Sequence, residues 1–244
     1  PVTLLSLENE LWPNRLAICR DGNIAVFIIG GRMSQRAARL WQRFGGIRRT
    51  LASAISHLSP QDEASGQRFR DLEVAEDRIG PILNLKSNVA LSPPARKTLE
   101  RWQLALDRDT TILAASTHEG EEAIMLDAFV IARATCPNLR LIIAPRHPDR
   151  AATIAALITK RGLTLVRKSQ TDAGQNTSLG NVDVVLGDTL GEMSLWYHLS
   201  ASVFVGGTLA DRGGHTPFEP ARAGCAIMHG PYVSNHAAIF TALD

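Results

Sequence analysis

Four clusters of polar and charged residues, each directly after an apolar run, carry the residue types that could do chemistry in this 244-residue chain. The organising cluster begins at Val205-Gly206-Gly207-Thr208 and continues through Gly213-Gly214-His215-Thr216-Pro217-Phe218-Glu219-Pro220. Glycine has no Cβ, so a glycine pair lets the backbone take positive φ and approach a ligand closely. N–H groups at the helix start that follows favour an anion, while a carboxylate such as Glu219 in the same turn suits sugar hydroxyls. The other clusters are Ser116-Thr117-His118-Glu119-Gly120-Glu121-Glu122, Pro145-Arg146-His147-Pro148-Asp149-Arg150 and Gly187-Asp188-Thr189-Leu190-Gly191-Glu192. Arg146 offers a rigid fork for a phosphate, with His147 beside it as a further donor. Asp188 and Glu192 could serve as a pair of acids, or each could cap or solubilise its own helix.

Other chemistries lack their patterns. His118 and Glu119 are adjacent rather than on one helical face, and no HExxH or CxxC spacing occurs, so no metal site is expected. There is no Walker sequence and no third glycine after Gly206-Gly207 to complete a dinucleotide fingerprint. No glycine-flanked serine elbow marks a serine hydrolase. Cys19, Cys136 and Cys225 are distant and odd in number, which speaks against a disulfide framework and fits a reducing compartment.

The elements that must position these clusters alternate. Residues 2–7 and 24–29 read as strands, the second a continuous apolar run closed by Gly30-Gly31 and so expected to be buried on both faces. Ser34 is placed to cap a basic helix with Arg36, Arg39 and Arg43 on one face; Gly45-Gly46 should break it, with helix resuming over 47–55. A further helix is expected from Ser59 to Phe69, and an extended piece over 79–86. Ser92-Pro93-Pro94 reads as a linker. Beyond it, strands are expected at 111–115, 139–144, 163–166, 182–186, 201–205 and 225–228, separated by helices at 121–134, 151–160 and 193–199. In the first of these helices Ile124, Ala128 and Ile131 recur at helical spacing. The polar tract 169–180 reads as a mobile loop. Such alternation predicts two α/β units, and a parallel sheet puts all four clusters at its carboxyl edge, where such sheets bind ligands.

Charge is unevenly spread. Net charge is only +2, yet residues 1–60 hold eight arginines against three acids. A basic surface there could meet nucleic acid, an anionic membrane or a phosphorylated substrate. Aromatics at 5% argue against a stacking platform for single-stranded nucleic acid. Apolar runs are strand-sized, so no membrane span is visible, although both ends look cut and an anchor upstream is compatible with that.

With the four clusters, the stretches Leu7-Glu8-Asn9-Glu10-Leu11-Trp12-Pro13-Asn14, Arg32-Met33-Ser34 and Asn84-Leu85-Lys86 resemble, in order, the motifs of the 3-deoxy-D-manno-octulosonic acid (Kdo) transferases. The resemblance runs from Leu7 to His236. It implies an α/β fold of GT-B type, two Rossmann-like units facing across a cleft, with residues 1–91 the remainder of an acceptor-side domain and 92–244 a CMP-sugar-binding domain without its last helices. It also implies an inverting transfer of Kdo from CMP-Kdo to a lipid A precursor in lipopolysaccharide biosynthesis. The expected location is the cytoplasmic face of the inner membrane, reached through an anchor outside this sequence. No cofactor is implied beyond the CMP-Kdo donor, and nucleic acid is not an implied partner.

Carried over residue by residue, the family's nucleotide contacts fall on Pro145 and Arg146, on Leu190, Gly191 and Glu192, and on Thr216, Pro217, Phe218 and Glu219. Transition-state support falls on Glu8 and Lys86. Ser116, His118, Glu119, His147, Gly214 and His215 are additional candidates. The family's general-base glutamate lies before Pro1 in this alignment of motifs, which implies an inactive fragment of an enzyme. Asn9, Leu190 and Thr216 depart from the family's usual residues, and Thr216 has a shorter reach than the usual asparagine. A nucleotide or sugar-phosphate binding module without turnover, and another sugar-nucleotide enzyme of the same fold, are the alternatives.

Overall fold

The computed structural model describes residues 2–8, 11–85, 91–172 and 182–243. The chain divides into two compact units, Pro1–Val89 and Ala90–Asp244.

The first unit runs β1 (Thr3–Leu7), α1 (Pro13–Asp21), β2 (Ala25–Gly31), α2 (Gln35–Arg43), α3 (Gly45–Ala54), β3 (Ile55–Pro60) and α4 (Glu63–Asp71). Its strands form a parallel sheet ordered β1-β2-β3. Val26 and Ile28 of β2, Ile55 and Leu58 of β3, Leu51 and Phe69 are all fully buried and form its core. The intervening Phe27 is 37% exposed, so this apolar run buries one face fully and leaves the other partly open, contrary to the expectation of two buried faces. Gly30 and Gly31 are the last two residues of the strand rather than its stop.

Side-chain caps set two helix starts. The Ser34 hydroxyl accepts from the Ala37 amide at 3.1 Å, and Asp62 from Ser65 at 2.7 Å. The break after α2 lies at Phe44, and the glycine pair opens α3 instead of ending α2. The segment Ile55–Pro60 is a strand where helix was expected up to Ile55 and again from Ser59. Parallel pairing with β2, and burial of Ile55 and Leu58 against it, decide this against local preference. Among the described residues, the extended piece after residue 78 joins the sheet through an isolated bridge between Ile79 and Leu58.

The second unit begins with α5 (Arg96–Gln103) and continues β4 (Thr111–Thr117), α6 (Glu121–Arg133), β5 (Arg140–Pro145), α7 (Ala151–Lys160), β6 (Leu165–Arg167) and α8 (Lys168–Asp172). It ends with β7 (Val184–Leu186), α9 (Met193–His198), β8 (Ser202–Val205), α10 (Phe218–Arg222), β9 (Ala226–Met228) and α11 (Ala237–Leu243). All its strands are parallel, in the order β6-β7-β5-β4-β8-β9. Residues 169–172, expected in a loop, are helical; residues 173–180 of that tract lie outside the described residues.

Helices cover both faces of this sheet. Ile142 and Ala144 of β5 point into a layer containing Trp102 and Trp196, whose rings meet edge to face at 5.4 Å. Leu141 and Ile143 point into the opposite layer with Leu126, Phe129 and Ile154. Burial on both sides explains why these strands read as unbroken apolar runs. In α6 the buried side chains are Leu126 and Phe129, whereas Ile124 and Ile131 are 51% and 74% exposed. The helix was legible from its period, but the apolar row that signalled it faces solvent.

Candidate functional site

The sheet order of the second unit places a crevice at its middle. From β4 the chain moves to β5 on one side, and later returns to pair β8 on β4's other side. The loops leaving β4 and β8 therefore flank a switch in strand order, the position where open α/β sheets bind ligands. The two loops are packed tightly together: a Cβ on Gly206 would overlap the Ser116 carbonyl, and Ser116 itself takes φ +54°.

The N–H groups after β8 already hold an anion, and it belongs to the chain. The Glu121 carboxylate, 1% exposed, accepts from the amides of Gly207 at 2.8 Å, Thr208 at 3.1 Å, Leu209 at 2.9 Å and Ala210 at 3.3 Å. It also accepts from the His118 amide at 2.8 Å. Burial opposes its ionisation, but the bonds from Gly207, His118, Leu209 and Ala210 outweigh that and lower its pKa. The first glycine pair thus serves the protein's own carboxylate and does not present free amides to a ligand.

Two imidazoles lie over this turn. The His118 and His215 rings are nearly coplanar and meet edge to edge, with centroids 5.1 Å apart and Nε2 atoms 2.9 Å from each other. A Cβ on Gly207 would touch both rings at 3.4 and 3.5 Å, and its φ of +70° disfavours any side chain. Burial lowers the pKa of each histidine. For His118, Glu121 partly opposes this and Arg212 and His147 reinforce it; for His215, His118 and Arg146 reinforce it. His147 meets the His118 ring edge on at 6.1 Å.

A cavity of about 390 Å³ opens beside His215, lined also by Ser116, Arg146, Met193, Tyr197, Thr216 and Glu219. Arg146 is exposed, and its amide donates to the Thr117 carbonyl at 3.0 Å, which seats the residue at the end of β5. Glu219, in the first turn of α10, lines the same cavity as the buried Tyr197. Burial, and then that carboxylate, push the Tyr197 phenol far above its ordinary range. A second cavity of about 520 Å³ shares Met193 and Glu219 and is lined by Ser92, Pro93, Pro94, Thr98, Gly191 and Glu192. Glu192 is held by Lys168 at 2.9 Å and by the Thr189 hydroxyl.

The structure thus gathers Ser116, Arg146, Gly191, Glu192, His215, Thr216 and Glu219 around two linked cavities of one unit. Pro145, His147, Leu190, Gly214, Pro217 and Phe218 stand beside cavity-lining residues in sequence without lining either cavity, and neither His118 nor Glu119 lines one. Asp188 is no partner acid for Glu192, since Arg167 at 2.9 Å and Ser169 at 2.7 Å take its carboxylate. Burial opposes its ionisation, yet those bonds lower its pKa. Glu122, fully buried, likewise serves structure through Arg150 at 2.7 Å and Thr117 at 2.8 Å. Glu8 belongs to the first unit, at the end of β1, with φ +55° and its amide bonded to the Ile29 carbonyl at 3.0 Å. Lys86 lies outside the described residues. Tyr197 and Met193 were missed in the sequence because α9 reads only as a core helix; a hydroxyl among buried apolar residues was the available signal.

Comparison with known proteins bears on this site. A sequence profile of the family described as 3-deoxy-D-manno-octulosonic-acid transferase (kdotransferase) matches residues 1–89, the extent of the first compact unit. The 3-deoxy-D-manno-octulosonic acid transferase of Haemophilus influenzae is 32% identical over all 244 residues, which span 56% of it. That of Bordetella pertussis is 31% identical over 95% of the chain and 53% of its own length. The crystal structure of the C-terminal CMP-Kdo binding domain of WaaA from Acinetobacter baumannii is 32% identical, covers 59% of this chain and 73% of its own, and superposes with a TM-score of 0.52. The chain belongs to the Kdo transferase family. It spans about half the length of the full-length Kdo transferases it matches. The UDP-GlcNAc 2-epimerase of Neisseria meningitidis, 14% identical with a TM-score of 0.53 over the whole chain and 68% of its own, shares the fold alone. This Kdo transferase chain is accordingly of GT-B type. Among its described residues no group of His, Cys, Asp and Glu is arranged to hold a metal, and no helix is long and apolar enough to cross a membrane.

Proposed function

We propose that this chain is part of an inverting glycosyltransferase that moves Kdo from CMP-Kdo to a lipid A precursor in lipopolysaccharide biosynthesis, and that its second unit holds the nucleotide. The observation that carries this is the pairing of Arg146 and Glu219 on one cavity at the β4/β8 switch. In this proposal the guanidinium takes the phosphate and the carboxylate takes ribose hydroxyls, each a charge-assisted bond. Departure of CMP builds negative charge on the phosphate, so Arg146 contributes most as the sugar–phosphate bond breaks. Buried Tyr197 lines the same cavity beside Glu219. Gly191 and Glu192, on the neighbouring cavity, extend the surface available to the nucleoside. Glu8 and Lys86 support the oxocarbenium-like sugar and the departing phosphate.

The acceptor is a lipid, so the protein works at the membrane surface, on the cytoplasmic face of the inner membrane. Support for a surface contact comes from α2 and the residue after it. Arg36, Arg39 and Arg43 are exposed there alongside Leu40 and Phe44, themselves 52% and 53% exposed. Apolar side chains rimmed by arginines are the composition of a helix that lies in a headgroup layer.

Titration calorimetry with CMP tests the nucleotide site. Arg146→Ala and Glu219→Ala should each weaken binding by about 1.5 kcal/mol or more, the cost of a lost charged hydrogen bond. Unchanged affinity in both variants removes this cavity as the nucleotide site.

A further inference from the structure

We infer that the His118–His215 pair takes up one proton when a phosphate group enters the cavity beside it, with His118 acting as the positioning residue that lets His215 carry the charge. This rests on the nucleotide assignment above. At 2.9 Å between Nε2 atoms, only one of the two can bear the intervening proton, so one ring donates and the other accepts. A neutral pair therefore has its rings in opposite tautomers. A singly charged pair keeps the same Nε2–H···Nε2 bond and makes it a charge-assisted one. A doubly charged pair would set two N–H groups against each other and break the contact.

The surroundings hold the empty site neutral. The pair is flanked on α6 by Glu121 and Glu122, on the loop after β5 by Arg146 and His147, and on the loop after β8 by Arg212. Of the carboxylates, Glu121 is engaged with five backbone amides and Glu122 with Arg150 and Thr117. Burial, which disfavours a charged ring, is the main reason both imidazoles lie below their ordinary pKa; Glu121 opposes it, while Arg212 beside His118, Arg146 beside His215 and His147 beside both reinforce it. A phosphate among Arg146, Ser116 and His215 brings a negative charge against the pair, which favours its protonated form and opposes the effect of burial. The proton comes from solvent and is taken by the Nδ1 that is bare in the neutral pair, on the ring whose Nε2–H donates, because the site between the rings is already occupied.

Both rings are fixed in place for this. The His118 amide is tied to Glu121 at 2.8 Å, and the His215 amide donates to the Gly206 carbonyl at 3.1 Å. Gly207 beside them leaves the space that the two rings fill.

The test is calorimetry of the 244-residue chain with the methyl ester of CMP, a phosphodiester that has no ionisation of its own near neutrality. Heats are compared in PIPES and imidazole buffers at one near-neutral pH. The expected result is a heat that changes with buffer ionisation enthalpy as for proton uptake. Affinity should also weaken as pH rises, approaching about tenfold per pH unit where uptake is complete. His118→Gln keeps a hydrogen-bonding partner for His215 and removes one titrating ring; uptake should fall and the pH profile flatten. Nitrogen-15 shifts of the imidazoles in the unaltered protein give the same answer without a variant, moving toward the cationic form when the ester is added. Binding with no buffer dependence and no such shift overturns the proton uptake and leaves the nucleotide site standing. Uptake undiminished in His118→Gln overturns the pairing. No binding of the ester in either buffer overturns the nucleotide site and this inference with it.

Discussion

The carboxylate of Glu121 and the amide of Gly207 meet at 2.8 Å, joining the start of α6 to the turn after β8 across 86 residues of sequence. Three more amides of that turn converge on the same carboxylate. This clamp sets the geometry on which the two histidines rest. Glu121→Gln keeps the shape but replaces one acceptor oxygen with a donor that faces N–H groups. It should destabilise the fold by about 2 kcal/mol, a loss typical of a hydrogen-bonded charge left unsatisfied. Urea unfolding of the two proteins measures the difference, and equal midpoints would show that the clamp contributes nothing.

Acid should weaken the same region in two stages. His118 and His215 have lowered pKa values in the fold, so their contribution to stability is complete above the unfolded value of about 6.5 and is lost as pH falls through the folded one. Glu121 and Asp188 are also lowered, and theirs is complete above about 4.3 and about 3.9 respectively and is lost at more acid pH. Unfolding free energy measured against pH should therefore begin to decline below about 6.5. In a His118→Gln/His215→Gln double variant the first decline should shrink while the second remains.

Tyr197→Phe removes the hydroxyl that shares the cavity with Glu219 and leaves the ring in the core. The expected effect is a weakening of CMP binding by about 1 kcal/mol, the size of one net hydrogen bond. A variant that binds CMP as tightly as the unaltered protein would show that the hydroxyl takes no part in the site.

Membrane contact through α2 has a separate signature. Reversing Arg36, Arg39 and Arg43 to glutamate should reduce binding to vesicles rich in anionic lipid by at least the ~1 kcal/mol that each arginine contributes near such a surface. Neutral vesicles should show little change. Sedimentation of the two proteins with each vesicle type decides it, and an undiminished affinity for anionic vesicles would exclude this helix as the contact.

Much of this site was readable because its residues follow strands. Arg146 after β5 and Glu219 after β8 are placed at one sheet edge by parallel alternation alone, and both line the cavity beside Tyr197. Ser34 was legible as a helix cap because capping is local chemistry between neighbours in sequence. The strand β3 was not legible: Ile55-Ser56-His57-Leu58 has no strong pattern of its own and becomes a strand by pairing with β2. Nor could spacing tell which side of α6 would be buried, because Ile124, Ala128 and Ile131 make as regular a row as Leu126 and Phe129 do.

By itself, the sequence determined the alternating α/β architecture, the family motifs and the residues gathered at the sheet's carboxyl edge, since periodicity, capping and glycine placement act over a few residues. Only the tertiary structure decided the use of each charge. Glu121, Glu122 and Asp188 are spent on backbone amides, Arg150 and Arg167, whereas Arg146 is left exposed at the cavity. Arg150, Arg167 and the amides after β8 lie from 21 to 89 residues away. Whether an ionised side chain meets a ligand or stabilises the fold depends on what long-range packing brings within about 3 Å of it, and that distance is not written in local sequence.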